Sequence, residues 1–229
     1  MMKKRSGYHP AGLILLFCFL CATGCAATNI YTVDMNYDAE SAMIPSYVKP
    51  NARALQSLIT VAEFTDSRKS DDPLIVGRVI ERNKMRTLVL PKHSRPTQAV
   101  AQGVRHYLRK AGYNVAAVAA PWDLTEANMP TGNGRVFIGG NITDLEINCK
   151  RGTPTNSYTT KIRLTLYLAD TRQKQILYRS TVEASTSLEH VAFSERRMGD
   201  QAAIALGDAI EKLFENRALS EKIKEILNQ

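Results

Sequence analysis

Ile162, Leu164, Leu166 and Leu168 alternate with Lys161, Arg163, Thr165 and Tyr167 over residues 160–169. Successive side chains of a strand point to opposite faces, so this run has one apolar face to bury and one polar face to leave in water. It demands a sheet covered on one side only, which constrains the fold more than any other stretch. Residues 135–148 read as a preceding strand carrying Val136, Ile138, Ile142, Leu145 and Ile147. There Gly139-Gly140 is expected to form a bulge or bend, since the apolar register breaks between Ile142 and Leu145. Asp170-Thr171-Arg172-Gln173-Lys174 reads as a turn, and residues 175–188 return as a third strand. The expectation is an antiparallel meander.

Shorter elements surround it. Residues 58–64, 74–80, 86–90 and 113–118 read as strands. Between the last two, Pro96 stands at a first helical position and Gly112 just past the end. Val100, Val104, Tyr107, Leu108 and Ala111 form a single apolar stripe on that helix. A second helix follows Ser194-Glu195, with Met198, Ala202, Leu206, Ile210, Leu213 and Phe214 on one face, and a short one begins at Ser220. The fold class expected is α+β, a mostly antiparallel sheet with helices packed on one face, in a single domain.

The N-terminus is of another kind. Lys3, Lys4 and Arg5 precede an apolar run over residues 13–20, and Ala22-Thr23-Gly24-Cys25 closes it. This arrangement resembles a bacterial lipoprotein signal, or lipobox, in which the peptide is cut between Gly24 and Cys25 and the Cys25 sulfur carries acyl (palmitate) chains. A bilayer-spanning helix needs about 20 apolar residues, roughly twice this run. An ordinary secretory signal would not explain the cysteine at the cut. Ala26 follows Cys25 where an inner-membrane retention signal would resemble Asp, so the expected location is the periplasmic face of the outer membrane. Two or more acyl chains anchor firmly where one does not. The expected organisation is a signal peptide over 1–24, acylated Cys25 and a tether over 25–54, and a periplasmic domain over 55–229. Extended at ~3.5 Å per residue, such a tether would reach on the order of 90 Å. Ile30, Tyr31, Val33 and Tyr37 are unusual linker residues, which leaves room for part of it to pack on the domain.

Processing leaves 205 of the 229 residues, enough for one domain with a proper core. It removes three of 30 basic side chains and none of 22 acidic ones, lowering the net charge from +8 to +5. Cys18 and Cys21 leave with the signal and Cys25 is acylated, so Cys149 alone remains and no intramolecular disulfide is expected. Cys149 follows Leu145 and Ile147 at period two, which reads as a small buried hydrophobe.

Motifs that carry chemistry are few. His93, His106 and His190 lack ligand spacing, so no metal site and no cofactor are expected. His106 reads as a solvated surface group, and His190 as a local ion-pair partner of Glu189. Gly132-Asn133-Gly134 followed by Gly139-Gly140 lacks the Lys-Ser/Thr of a phosphate loop, and no Gly-x-Ser-x-Gly elbow occurs. No catalytic residue can be named and no nucleic-acid partner is expected. The exception is the polar strand face, where Lys161, Arg163 and Tyr167 would form a basic-aromatic surface for an acidic envelope partner.

Leu58-Ile59-Thr60-Val61-Ala62-Glu63-Phe64-Thr65-Asp66-Ser67-Arg68 is followed by Leu108-Arg109-Lys110-Ala111-Gly112-Tyr113-Asn114-Val115. Val136-Phe137-Ile138-Gly139-Gly140-Asn141-Ile142, Tyr178-Arg179-Ser180 and Ala202-Ala203-Ile204-Ala205-Leu206 come after. With the lipobox, this order resembles the YajG-type lipoproteins of Gram-negative bacteria and, more distantly, the auxiliary lipoproteins of envelope ABC-transport systems. The resemblance implies an accessory protein that is not an enzyme. The function expected is a non-catalytic, membrane-anchored binding or assembly accessory of the cell envelope. The alternative is an auxiliary subunit of a lipid or polysaccharide transport system. Oligomeric state is left open.

Overall fold

A computed structural model describes residues 30–70, 72–130 and 134–228. Strands β7 (Val136–Lys150), β8 (Asn156–Asp170) and β9 (Gln175–His190) form the expected antiparallel meander, each longer than the pattern alone marked out. Ile162, Leu164, Leu166 and Leu168 are at most 1% exposed. Asp170 fixes the β8–β9 turn by accepting the Arg172 and Gln173 N–H groups at 2.8 and 3.3 Å and the Arg135 guanidinium at 2.9 Å. Burial alone would raise its carboxyl, but these hydrogen bonds outweigh burial and hold it below the usual value.

Short strands line the other edge of β7 in parallel: β2 (Leu58–Val61), β3 (Thr65–Asp66) and β4 (Gly77–Ile80). Beyond β4 come β5 (Arg86–Pro91), antiparallel to it, and then β1 (Ile30–Val33), parallel to β5. Beyond β2 lies β6 (Asn114–Val115), also parallel. The sheet is therefore mixed, and the two long ladders make it mostly antiparallel by paired residues. Parallel neighbours need a crossover, and helix α1 (Pro96–Ala111) supplies the one leading into β6. Gly112, at φ 104°, closes α1 by donating its N–H to the Arg109 and Leu108 carbonyls.

α1, α2 (Glu195–Glu215) and α3 (Arg217–Asn228) all bury their apolar stripes on one sheet face, in a core with Val100, Val104, Leu206, Ile210, Ile223 and Ile226. α3 starts three residues before the expected Ser220, because the Asn216 side chain accepts the Ala218 N–H. On the opposite face a smaller cluster gathers Ala62, Trp122, Met129, Phe137 and Ala169. The segment around Trp122 is thus a cover as well as a polar connection. The Trp122 indole stands edge-on to Phe137 at 5.6 Å and donates to the Thr125 carbonyl at 2.9 Å.

Two expectations are corrected. The described part of the expected 25–54 tether is built into the domain, since β1 belongs to the sheet and Val33, Met35 and Val48 are at most 2% exposed. Tyr37 wedges between α1 and α2, where a Cβ on Gly103 or Gly207 would stand 3.4 or 2.8 Å from its ring, and its hydroxyl donates to Glu211 at 3.0 Å. Spaced aromatics without periodicity resemble a linker in sequence, yet each fills a separate gap here. Nor do Gly139 and Gly140 form the bulge, which lies between Ile142 and Asp144 with Thr143 as the extra residue. The glycines make room: a Cβ on Gly140 would meet Phe64 at 2.3 Å, and one on Gly139 would meet Trp122 at 2.8 Å.

The Phe64-to-Arg68 stretch also has a structural task. Asp66 and Arg68 form a fork–fork pair, with side chains 17% and 7% exposed. Arg68 further donates to the Ile75 and Pro73 carbonyls at 3.0 and 2.6 Å, clasping the loop between β3 and β4. Arg68→Ala should cost about 3 kcal/mol in urea unfolding, because it removes the charge partner of the Asp66 carboxylate and the donors to two carbonyls together. A loss below about 1 kcal/mol would show that water replaces the clasp.

Candidate functional site

The face of the β7–β9 meander turned away from the helices carries Lys161, Arg163 and Tyr167 at alternate positions of β8, as the alternation requires. The structure surrounds them with acids. Lys161 Nζ lies 3.1 Å from Asp144 Oδ2 and 3.6 Å from Glu183 Oε1, and Arg163 Nε donates to Glu183 Oε2 at 2.8 Å. The Arg163 Nη2 group bonds the same oxygen. Hydrogen bonding to Asp144, then the charges of Asp144 and Glu183, holds the Lys161 ammonium above its usual value. Hydrogen bonding from Arg163 holds Glu183 below its own. Over Tyr167 lies the Arg179 guanidinium, 5.1 Å from the ring centre.

The expected basic-aromatic patch is therefore a charge-balanced lattice. Asp144 is brought opposite Arg163 by the one-residue shift at Thr143, and Glu183 by the β8–β9 register. Both were missed in the sequence because cross-strand neighbours stand about 20 residues apart, with no local spacing to announce them. Next to the lattice is a shallow polar groove of about 300 Å³, lined by Glu146, Asn148, Thr159, Lys161, Ser185 and Ser187. Such a surface offers hydrogen bonds and paired charges in place of free positive charge.

A second cleft, about 730 Å³, opens where α2 begins. Glu195 accepts the Thr32 N–H there at 2.7 Å, and Asp34, Lys92, Arg196 and Asp200 share the rim. Nothing in the sequence pattern pointed to it, because its residues come from β1, the end of β5 and α2. His93 pairs with Asp34 at 2.8 Å on the surface. His106 is exposed, and partial burial followed by Arg105 and Arg109 lowers its pKa. His190 is not paired with Glu189 as expected. Its Nδ1 accepts the Ala192 N–H at 3.0 Å, and its Nε2 lies 3.0 Å from an Arg197 nitrogen. Cys149 is 1% exposed, and burial pushes its thiol up to about 11, as fits a small core residue.

Among the described residues no group of three His, Cys, Asp or Glu side chains is placed to hold a metal ion, and no helix is long and apolar enough to cross a membrane. Gly24 and Cys25 lie outside the described residues, whose first strand begins five positions after Cys25.

No family model and no curated protein matches the sequence. Among solved structures, the chain is similar to a Xanthomonas campestris protein of the DUF330 family at 14% identity and TM-score 0.49, covering 83% of this chain and 96% of that one. Lipoprotein GNA1162 from Neisseria meningitidis matches at 11% identity and TM-score 0.37, over 71% and 99% of the two chains. The PelC dodecamer protein from Paraburkholderia phytofirmans matches at 10% identity and TM-score 0.34, over 70% and 89%.

Proposed function

We propose that this chain is a non-catalytic lipoprotein of the YajG type, held by acyl chains on Cys25 to the periplasmic face of the outer membrane. Its domain serves as a binding or assembly accessory for another envelope component and performs no reaction of its own. The observation that carries this reading is the basic, apolar and small-residue succession ending in Ala22-Thr23-Gly24-Cys25. The short span from Cys25 to Ile30 agrees with it: five residues reach at most about 17 Å, so the domain is held close to its attachment. Confinement to a surface raises the effective concentration of the domain near a membrane partner without any new contact. The uncovered meander face is the surface such a partner would meet.

Intact mass measurement of protein extracted from membranes tests the reading. The expected species begins at Cys25 and carries acyl mass, and Cys25→Ser should abolish it. A chain that retains residues 1–24, or one that begins at Cys25 with a free thiol, would overturn the proposal.

A further inference from the structure

One corner of the sheet combines exposed basic and apolar side chains. On the uncovered face Arg86 lies abreast of Ile80, and Ile80 abreast of Lys150, while one row inward Ile30, Leu88 and Arg78 stand side by side. Arg78, Arg86 and Lys150 are exposed, and so are Ile30 at 50% and Ile80 at 37%. The β4–β5 turn projects past this corner, closed by hydrogen bonds from Glu81 N–H to the Met85 carbonyl and from Lys84 N–H to the Glu81 carbonyl, each 2.8 Å. It leaves Arg82, Lys84 and Met85 in solvent, Met85 at 63% exposure. Val191, 67% exposed, directly follows the end of β9.

The basic groups there form no ion pair, although Glu146 lines the same cleft as Arg78. Glu81, the acid of the turn, is taken by Arg151 at 2.9 Å and by the Tyr31 hydroxyl at 2.9 Å. Glu189 stands two strands away from Lys150. Among the described residues, Arg78, Arg82, Lys84, Arg86 and Lys150 have no carboxylate partner. Elsewhere on the same face Lys161 and Arg163 are fully paired, so the open corner is a local feature and not a property of the whole surface.

Two considerations point to the occupant. Ile30, at this corner, is five residues from Cys25, so an acylated chain holds the corner within about 17 Å of the lipid. Basic groups attract anionic headgroups, while apolar side chains beside them enter the boundary between headgroups and acyl chains. We propose that this corner is a second membrane contact, which seats the domain with its 81–85 turn against an anionic lipid surface. The geometry rests on the acylation of Cys25 proposed above, but the chemistry of the corner does not.

The test uses membrane-extracted protein with an environment-sensitive dye on Met85→Cys or, as control, on Met43→Cys. Met43 is 87% exposed in the segment that follows the turn packed on α1. Each protein is mixed with vesicles of phosphatidylcholine alone, or of phosphatidylcholine with phosphatidylglycerol, and its intact mass is recorded. The expected result is a shift of the residue-85 dye to shorter wavelength on the anionic vesicles and none at residue 43. Combined R82E, K84E and R86E substitutions should abolish the shift while the acylated protein still floats with the vesicles. A dye at residue 85 as exposed as that at residue 43, on protein that floats, would overturn the proposal and leave a protein or wall polymer as what covers the corner. The mass decides the acylation separately. A shift without acyl mass keeps the corner and ends the lipoprotein reading, and neither signal ends both.

Discussion

A Gly77→Ala chain is expected to lose about 4 kcal/mol or more of folding stability, the upper end for a point substitution. Gly77 opens β4 between Val89 of β5 and Ile147 of β7. A Cβ placed there would stand 1.8 Å from the Ile147 carbonyl oxygen and 2.5 Å from its carbon. Both are backbone atoms of the central strand, so no side-chain rotation relieves the clash and β4 must leave β7. The β5 and β1 strands reach β7 only through β4, so one methyl group threatens a third of the sheet. Gly112→Ala is the control: it sits at φ 104° with its nearest contacts at 3.5 Å on Pro50, so it suffers only the left-handed penalty of about 1 kcal/mol. Urea unfolding of the two variants should separate them by several-fold in lost stability. Equal losses would show that the β4–β7 ladder yields to the extra methyl.

Phe214→Ala should cost about 4 kcal/mol, the range for emptying an aromatic site in a closed core. Phe214 is fully buried near the end of α2 and stacks on Tyr107 of α1, with ring centres 4.7 Å apart and planes 18° apart. The pair joins two helices from distant parts of the chain, and stacking contributes beyond the buried area. Phe214→Leu retains most of the volume and should cost under about 2 kcal/mol. Unfolding curves for both substitutions check this, and a loss below about 2 kcal/mol for the alanine would mean that α3 collapses into the space.

How much could be read beforehand depended on whether a signal was local. α1 begins at Pro96 and ends before Gly112 where its stripe and punctuation placed it, because the Pro ring and a left-handed glycine act on their own residues. The meander was legible for the same reason, since alternation and the turn at Asp170 are properties of neighbouring residues. The parallel pairings of β1, β2, β3 and β4 were not, because each is two to four residues long and is defined by partners far along the chain. At the candidate surface the alternation placed Lys161, Arg163 and Tyr167 on the polar side. It could not supply Asp144 and Glu183, which turn a basic stripe into a balanced lattice.

The amino-acid sequence by itself determined the α+β class, the meander, the face that α1 and α2 bury, and a lipobox-like segment closing in Cys25. All of these follow from periodicity or from residue order within about 20 positions. Only the tertiary structure decided that residues 30–54 pack onto the domain, that Gly139 and Gly140 clear space for Trp122 and Phe64, and that β4, β5 and β7 gather unpaired basic groups at one corner. Each of these depends on which distant residues come to lie side by side, and that is fixed by packing and strand register across the whole domain.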